Sequence, residues 1–396
     1  MIGSRGVAIL GVGMVPFGRH EESLVEMLGQ AALQALDDAR GDDCPVDALY
    51  VGNMAAGLFN RQSAVASALV DYLGLLPAAA DVVENGPASG GSALKNGVLA
   101  VASGYYDRVL VVGGEKMKHL PGPRVTDNLA TMAHPVAEYP YGATLPALAG
   151  MFARLYMDRY GVTARHLAQV AVKNHGNGAL NPYAHLRTPV TLDEILTGPQ
   201  AVKNNPFVAD PLRLYDCCPT SDGAAAVLLC PAEQLSGLGW PRVVVAGLAQ
   251  ATDTHSLQER AVPTDLLAVR TAAQKAFAMA GLAPGDVDVA ELHDAFTVLE
   301  IAESEEVGFF PRGDGARALE EGHTRIGGDL PISPSGGLKA RGHPPGATGV
   351  AQVVELVWQL RGEAGPRQVK DAEVGFSINL GGLANNVVAF VLRRER

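Results

Sequence analysis

The chain has 396 residues, of which 47% are hydrophobic and only 18% charged, and its net charge is −11. That length supports two ordinary domains, or two similar halves around one core, and the low charge suits an α/β core with much buried helix. The acidic balance argues against nucleic acid as the main partner, although it leaves room for an anionic ligand in a locally basic groove.

In chain order, residues 7–13 (VAILGVG) are β-branched and small and read as a buried strand. The opening apolar run is too short and too rich in glycine for a signal peptide or a membrane span. Residues 21–39 have helical periodicity, with Leu24, Met27, Leu28, Ala31, Leu36 and Ala39 apolar. A second strand is expected over 46–52, a helix over 62–73 and a short strand over 80–83. ENGPASGG then turns a Gly/Pro corner into a small-residue helix over 89–102, followed by a strand over 108–114. Alternating β and α with short connections predicts a mostly parallel sheet covered on both faces. A long excursion follows over about 115–218, with helices over 145–160 and 163–174 and then the polar loop NHGNGALNPYAH. Such a segment between core elements is expected to be a lid or a substrate wall. Residues 221–229 (SDGAAAVLL) return to the sheet.

The second half repeats the first. VVVAG at 243–247 answers VAILG, a helix follows over 270–280, DVDVAEL at 286–292 answers VDALYVG, and EVGFSINLGG at 373–382 answers RVLVVGG. RGHPPGATG at 341–349 answers NGPASGGSA at 85–93, pairing Gly342 with Gly86, His343 with Pro87 and Gly346 with Gly90. The chain therefore divides into an N-terminal half, 1–240, which contains the excursion, and a C-terminal half, 241–396. Two halves of like topology predict two sheets meeting face to face over shared corner helices, with the site between the corners at helix N-termini. The second corner, SPSGGLKARGHPPGATG at 333–349, leads into an apolar helix over 350–360. His343 stands at its mouth beside Pro344, and proline is tolerated in a first helical turn. On the residues alone, His343 is either a capping histidine in a tight turn or a base held on a rigid corner. Cys44, Cys217, Cys218 and Cys230 fit neither a disulfide framework nor a zinc site, which points to a reducing, cytoplasmic compartment and no metal. The ending VLRRER is not a peroxisomal tripeptide.

These motifs resemble the thiolase superfamily, in its sterol-carrier-protein or lipid-transfer-protein branch. The matching segments are VAILGVGMVPFGR at 7–19, VAVKNHGNGALNP at 170–182, DCCPTSDGAAAVLL at 216–229, HDAF at 293–296 and GGLKARGHPPGATG at 336–349. They span nearly the whole chain. The resemblance implies an α/β, five-layer αβαβα fold from two duplicated halves, usually as a homodimer. It implies coenzyme A thioesters as substrates, with no tightly bound cofactor, and carbon–carbon bonds made or broken next to the thioester carbonyl. Many members of this branch work with a small OB-fold/zinc-ribbon protein, so such a partner is also expected.

The departures are chemical. An ordinary thiolase presents a nucleophilic cysteine at the first corner, where this chain has Pro87. Proline has no nucleophilic atom and no N–H, so an oxyanion donor goes with the nucleophile. The family's second cysteine falls at Ala295 or Asn379, neither of which can do thiol chemistry. What remains is His293, matching the family's enolate oxyanion site, and His343, matching a base near the nucleophile, with Asn379 as a hydrogen-bond donor where the thiol would have been. Gly337 and Gly381 are expected to bind substrate. Ser89 reads as a helix-start hydroxyl, and Cys217 and Cys218 as inert packing. Lys173, His175 and Arg213 are either contacts for coenzyme A phosphates or solvated charges. Three readings stay open: a carbon–carbon lyase without a covalent intermediate, an acyltransferase with another or a partner-supplied nucleophile, and a non-catalytic subunit. A histidine pair facing one pocket favours catalysis over the alternative, in which both survive as buried packing in a dead enzyme.

Overall fold

The β-branched runs separated by glycine-ended helices fold as alternation dictates, and they converge on one sheet. The computed structural model describes residues 5–39, 45–235 and 241–395, so Cys44 and the boundary at residue 240 lie outside the described residues. Apart from a two-stranded ribbon in the excursion, Phe207–Ala209 with Leu212–Arg213, its strands are β1 (Val7–Met14), β2 (Ala48–Gly52), β3 (Ala79–Val83), β4 (Val109–Glu115), β5 (Gly223–Pro231), β6 (Arg242–Thr252), β7 (Val289–Glu291), β8 (Val374–Gly381) and β9 (Asn386–Glu395). They form a nine-stranded sheet in the order β3-β2-β4-β5-β1-β6-β9-β8-β7. From the centre outward, β1, β5, β4 and β2 mirror β6, β9, β8 and β7, so the internal repeat is visible as a pseudo-twofold. The halves are joined by the pairs Ala8–Val244 and Ile9–Val243. The two expected β layers are hydrogen-bonded to each other at β1–β6, so they run on as one continuous sheet.

The expectation of a mostly parallel sheet is also corrected. Only β2–β3, β2–β4 and β7–β8 run parallel, and the other pairings are antiparallel. Strand β5 returns from the excursion rather than from a short crossover helix, so it enters against β4 and β1.

Helices Ser89–Ala102 and Pro345–Arg361 lie between the two halves, and their Ala, Val and Leu side chains share one buried cluster with residues of both halves. Outside the N-terminal half lies helix Leu24–Asp38, started by a Ser23–Glu26 capping box, with helix Val65–Leu73 beside it. Outside the C-terminal half lie helices Leu267–Ala280 and Thr297–Val307. The result is the five-layer αβαβα arrangement. The excursion packs its helices Leu145–Tyr160 and Ala164–Ala179 against the C-terminal half and also forms part of a cavity wall.

Candidate active site

The two corners meet through glycines. A Cβ on Gly90 would lie 2.5 Å from Gly346 O, and a Cβ on Gly346 would lie 2.4 Å from Gly114 O. No side chain fits there, so the crossing requires glycine. Gly346 N–H donates to the Glu115 carboxylate, which also accepts from the Met54 and Ala55 N–H groups and Asn53 Nδ2. Burial raises Glu115 to about 7 against those donors. This cradle fixes the mouth of the second corner helix to the end of β4, and Pro345 opens the helix where no N–H is needed.

His343 sits at that mouth, edge-to-face with His293, the ring centroids 4.9 Å apart and the planes at 90°. His343 Nδ1 lies 2.7 Å from Thr348 Oγ1, and the hydroxyl donates its single proton to Pro344 O at 2.9 Å. The hydroxyl therefore accepts from His343 Nδ1–H, which leaves the lone pair on Nε2. Asn379 is oriented by the opposite logic. Its Oδ1 accepts from Gly91 N–H at 3.1 Å, so its amide nitrogen faces Pro87 O at 3.2 Å and His293 Nδ1 at 3.2 Å. His293 Nδ1 is then the acceptor, and the proton is on Nε2. The hydrogen-bond network favours opposite tautomers for the two histidines, with a lone pair on His343 Nε2 and a proton on His293 Nε2.

Electrostatics keep both rings neutral. Burial, then His343 and Arg341, hold His293 well below the ordinary histidine range. Burial, then Arg341, lower His343 to about 3. Arg341 is fully buried, with Nη1 3.3 Å from Glu291 Oε2. His293 is anchored through its own N–H, which donates to Glu303 Oε2 at 2.7 Å, and burial raises Glu303 well above the usual carboxylate range.

A cavity of about 160 Å³ opens beside His343, which lines it with Pro87, Cys217, Cys218, Ala295 and Phe296, and with Met117, Thr126 and Leu129 from the excursion; His293 is buried against His343 and is not part of the lining. Pro87 and Ala295 therefore lie on the wall where the family's thiols are expected. Cys217 and Cys218 also face the cavity, but burial pushes both thiols up to about 12, so they stay protonated and unreactive. Ser89 Oγ accepts from Asn85 N–H and donates to Gly86 O, the helix-start role read from its position.

The remaining expected residues scatter. Gly381 lines a separate, larger cavity of about 580 Å³ with Asn85 and Gly86, which holds neither histidine. Gly337 has φ +58° and donates its N–H to Ser335 Oγ, and a Cβ there would meet Asp294 Oδ2 at 2.3 Å. Lys173 is no surface charge: its Nζ is 2.9 Å from Glu300 Oε1 and 2.6 Å from Ile332 O, both partners buried. Arg213 lays its guanidinium over the Phe207 ring at 4.2 Å. His175 is buried and faces a second cavity behind the cysteines.

Thr348, Glu303 and Arg341 are the site residues that the sequence reading missed. Thr348 had a signal, a hydroxyl one helical turn inside the corner helix and five residues after a candidate base. Glu303 and Arg341 had none, since their partners are distant in sequence. Among the described residues, no group of three or more His, Cys, Asp or Glu is placed to hold a metal ion, and no helix is long and apolar enough to cross a membrane.

Comparison with known proteins matches residues 7–233 to the family described as "Thiolase, N-terminal domain" and residues 249–394 to "Thiolase C-terminal domain-like". The chain is 46% identical over 391 residues to an acetyl-CoA acetyltransferase of Methanothermobacter thermautotrophicus, covering 98% of this chain and 100% of that one. It is 34% identical over 401 residues to sterol carrier protein 2 of Homo sapiens, covering 95% of this chain and 70% of that one. A solved structure titled "Ltp2-ChsH2(DUF35) aldolase" superimposes with a TM-score of 0.85 at 25% identity, over 100% of both chains.

Proposed function

This chain belongs to the thiolase superfamily, in its sterol-carrier-protein branch, and on that premise we propose that it makes or breaks a carbon–carbon bond next to an acyl-CoA thioester carbonyl without an acyl-enzyme. The observation that carries this reading is the pair of opposite tautomers beside a corner that lacks a nucleophile. In the cleavage direction, His343 Nε2 takes the proton of a β-hydroxyl. The Cα–Cβ bond breaks, its electron pair becomes the thioester enolate, and the β-carbon leaves as a carbonyl. His293 Nε2–H donates to the enolate oxygen, held in that tautomer by Asn379. The proton on His343 then returns to Cα, and acyl-CoA is released. No step needs a thiol, a cofactor or a water molecule. Neutral partners suit this chemistry, because the imidazolium that forms on His343 faces the negative enolate as it develops.

The aldolase named in the structural neighbour's title supports a lyase, and the DUF35 component in the same title supports a small partner protein, of OB-fold type, for this chain. The exposed edge strand β3, which leads straight into the Pro87 corner, supports a homodimer. Cys217 and Cys218 are free thiols on the cavity wall, which supports a cytoplasmic setting. The test is deuterium exchange into the α-carbon of acetyl-CoA and propionyl-CoA, with intact-protein mass on the same samples. Exchange that is lost in His343→Ala, with no mass adduct, is expected. A covalent adduct on the native chain would establish acyl transfer through a hidden nucleophile instead. No exchange at all would leave a binding or scaffolding subunit.

A further inference from the structure

Behind the wall formed by Cys217, Cys218 and Pro219 lies a second cavity of about 440 Å³. Lys339, His175, His185 and Arg187 line it, and no Asp or Glu among the described residues does. Lys339 is only 3% exposed, yet its ammonium makes no hydrogen bond and no ion pair among the described residues; it lies over the Tyr215 ring, 5.6 Å from the centroid. This contrasts with Lys173, whose buried ammonium is paired with Glu300. The nearby acids accept from other donors: Asp294 from the Leu338 and Lys339 backbone N–H groups and from Asn174 Nδ2, and Asp216 from the Arg213 N–H and from Thr297 Oγ1. Burial lowers the Lys339 pKa, and the cysteines and those two acids only partly oppose it. His175 is the second unpartnered group. Its Nδ1–H donates to Thr188 O at 3.0 Å, so Nε2 carries a lone pair, and that buried atom has no partner. A largely buried ammonium with no hydrogen-bond acceptor is costly unless something in the cavity supplies one.

We propose that this second cavity is an oxyanion-binding site, in which Lys339 donates to a carboxylate or phosphate oxygen and His175 Nε2 accepts a proton from the same group. A monoprotonated phosphate or a carboxylic acid supplies that proton directly, and a fully ionised group draws one onto the imidazole from solvent. The site is independent of the reaction at His343, from which the two cysteines separate it. One chemistry has two sources, a carboxylate on an acyl chain or a phosphate.

The experiment is isothermal titration of the full chain with inorganic phosphate and, separately, with succinate, repeated on Lys339→Met and Lys339→Gln. Removing an unpaired buried charge does not require a partner to be repaired, and the glutamine variant covers the case in which methionine is not accommodated. Saturable binding of at least one probe is expected, weakened about tenfold or more in the variants, the loss of one charge-assisted hydrogen bond. Phosphate alone would identify a phosphate site, succinate alone a carboxylate site, and both a general oxyanion site. Absence of saturable binding for either probe, or variants that bind as the native chain does, would overturn the proposal.

Discussion

Thr348→Val isolates the tautomer of His343 from everything else at the site. The substitution keeps the shape and the β-branch and removes one hydroxyl. Pro344 O loses the hydroxyl proton but retains the N–H groups of Ala347 at 3.0 Å and Thr348 at 3.1 Å, so the start of the helix stays satisfied. What changes is His343. Its Nδ1–H, now bonded at 2.7 Å, would be left buried without an acceptor. An unsatisfied buried donor costs about 1–3 kcal/mol, and the ring avoids this by moving the proton to Nε2, which faces the cavity. That tautomer is no base toward substrate. At about 1.4 kcal/mol per tenfold in rate, the active tautomer falls by about tenfold to a hundredfold. The assay is α-deuterium exchange with saturating acyl-CoA, alongside circular dichroism to verify the fold. Thr348→Ser keeps the hydroxyl and should retain most of the rate. A folded Thr348→Val enzyme that exchanges at the native rate would refute the tautomer assignment, and with it His343 as the base.

Pro87→Cys should restore both a thiol and an N–H at the first corner, beside His343. Acetyl-CoA should then leave one acetyl group on the protein by intact mass, and a folded variant with no adduct would show that residue 87 does not address the acyl carbon. The pH profile of kcat/KM should lack an acid limb near the ordinary histidine value of about 6.5. His343 has its folded pKa depressed to about 3, so it is an unprotonated base above that value and is lost only as pH falls toward it. A limb near neutrality would mean that burial and Arg341 do not act on it as placed. Lys173→Met leaves the Glu300 carboxylate buried without its ammonium, 2.9 Å away in the native chain. A stability loss of about 3–5 kcal/mol is expected in urea titration, and a loss no larger than that of an exposed pair, about 1 kcal/mol or less, would contradict the pairing.

Much of the core was legible because its periodicities are local. The helix expected over 89–102 forms as Ser89–Ala102, and that over 145–160 as Leu145–Tyr160. The helix expected to stop at Asn174 runs on to Ala179 through a Gly- and Asn-rich stretch of poor helix formers. Tertiary partners override propensity there: Asn174 Nδ2 reaches Asp294 and Glu300, and Asn177 Nδ2 reaches Ser333 O. Helix Thr297–Val307 gave no amphipathic signal, since its four glutamates are all buried and bonded across the core. Strand direction was misjudged because alternation in sequence does not say from which side β5 returns. At the site, residue types pointed to His293, His343 and Pro87 through resemblance, but the protonation pattern depended on Thr348 and Asn379, whose effect appears only in three dimensions.

The duplication ties the two corners to one shared crossing. Both corner helices must begin at a glycine-lined crossing: a Cβ on Gly349 would meet Asn379 Oδ1 at 2.3 Å and Gly91 N at 2.4 Å. The same crossing therefore fixes Asn379, and Asn379 fixes both the first corner, through Pro87 O and Gly91 N–H, and the His293 tautomer. A proline at residue 87 is compatible with this frame, because the frame uses its carbonyl and not its missing N–H. On the proposed reading, the first corner is a structural brace for the donor histidine and the second corner would supply the base. That division would let a thiolase scaffold dispense with an acyl-enzyme while still holding two histidines in opposite protonation states.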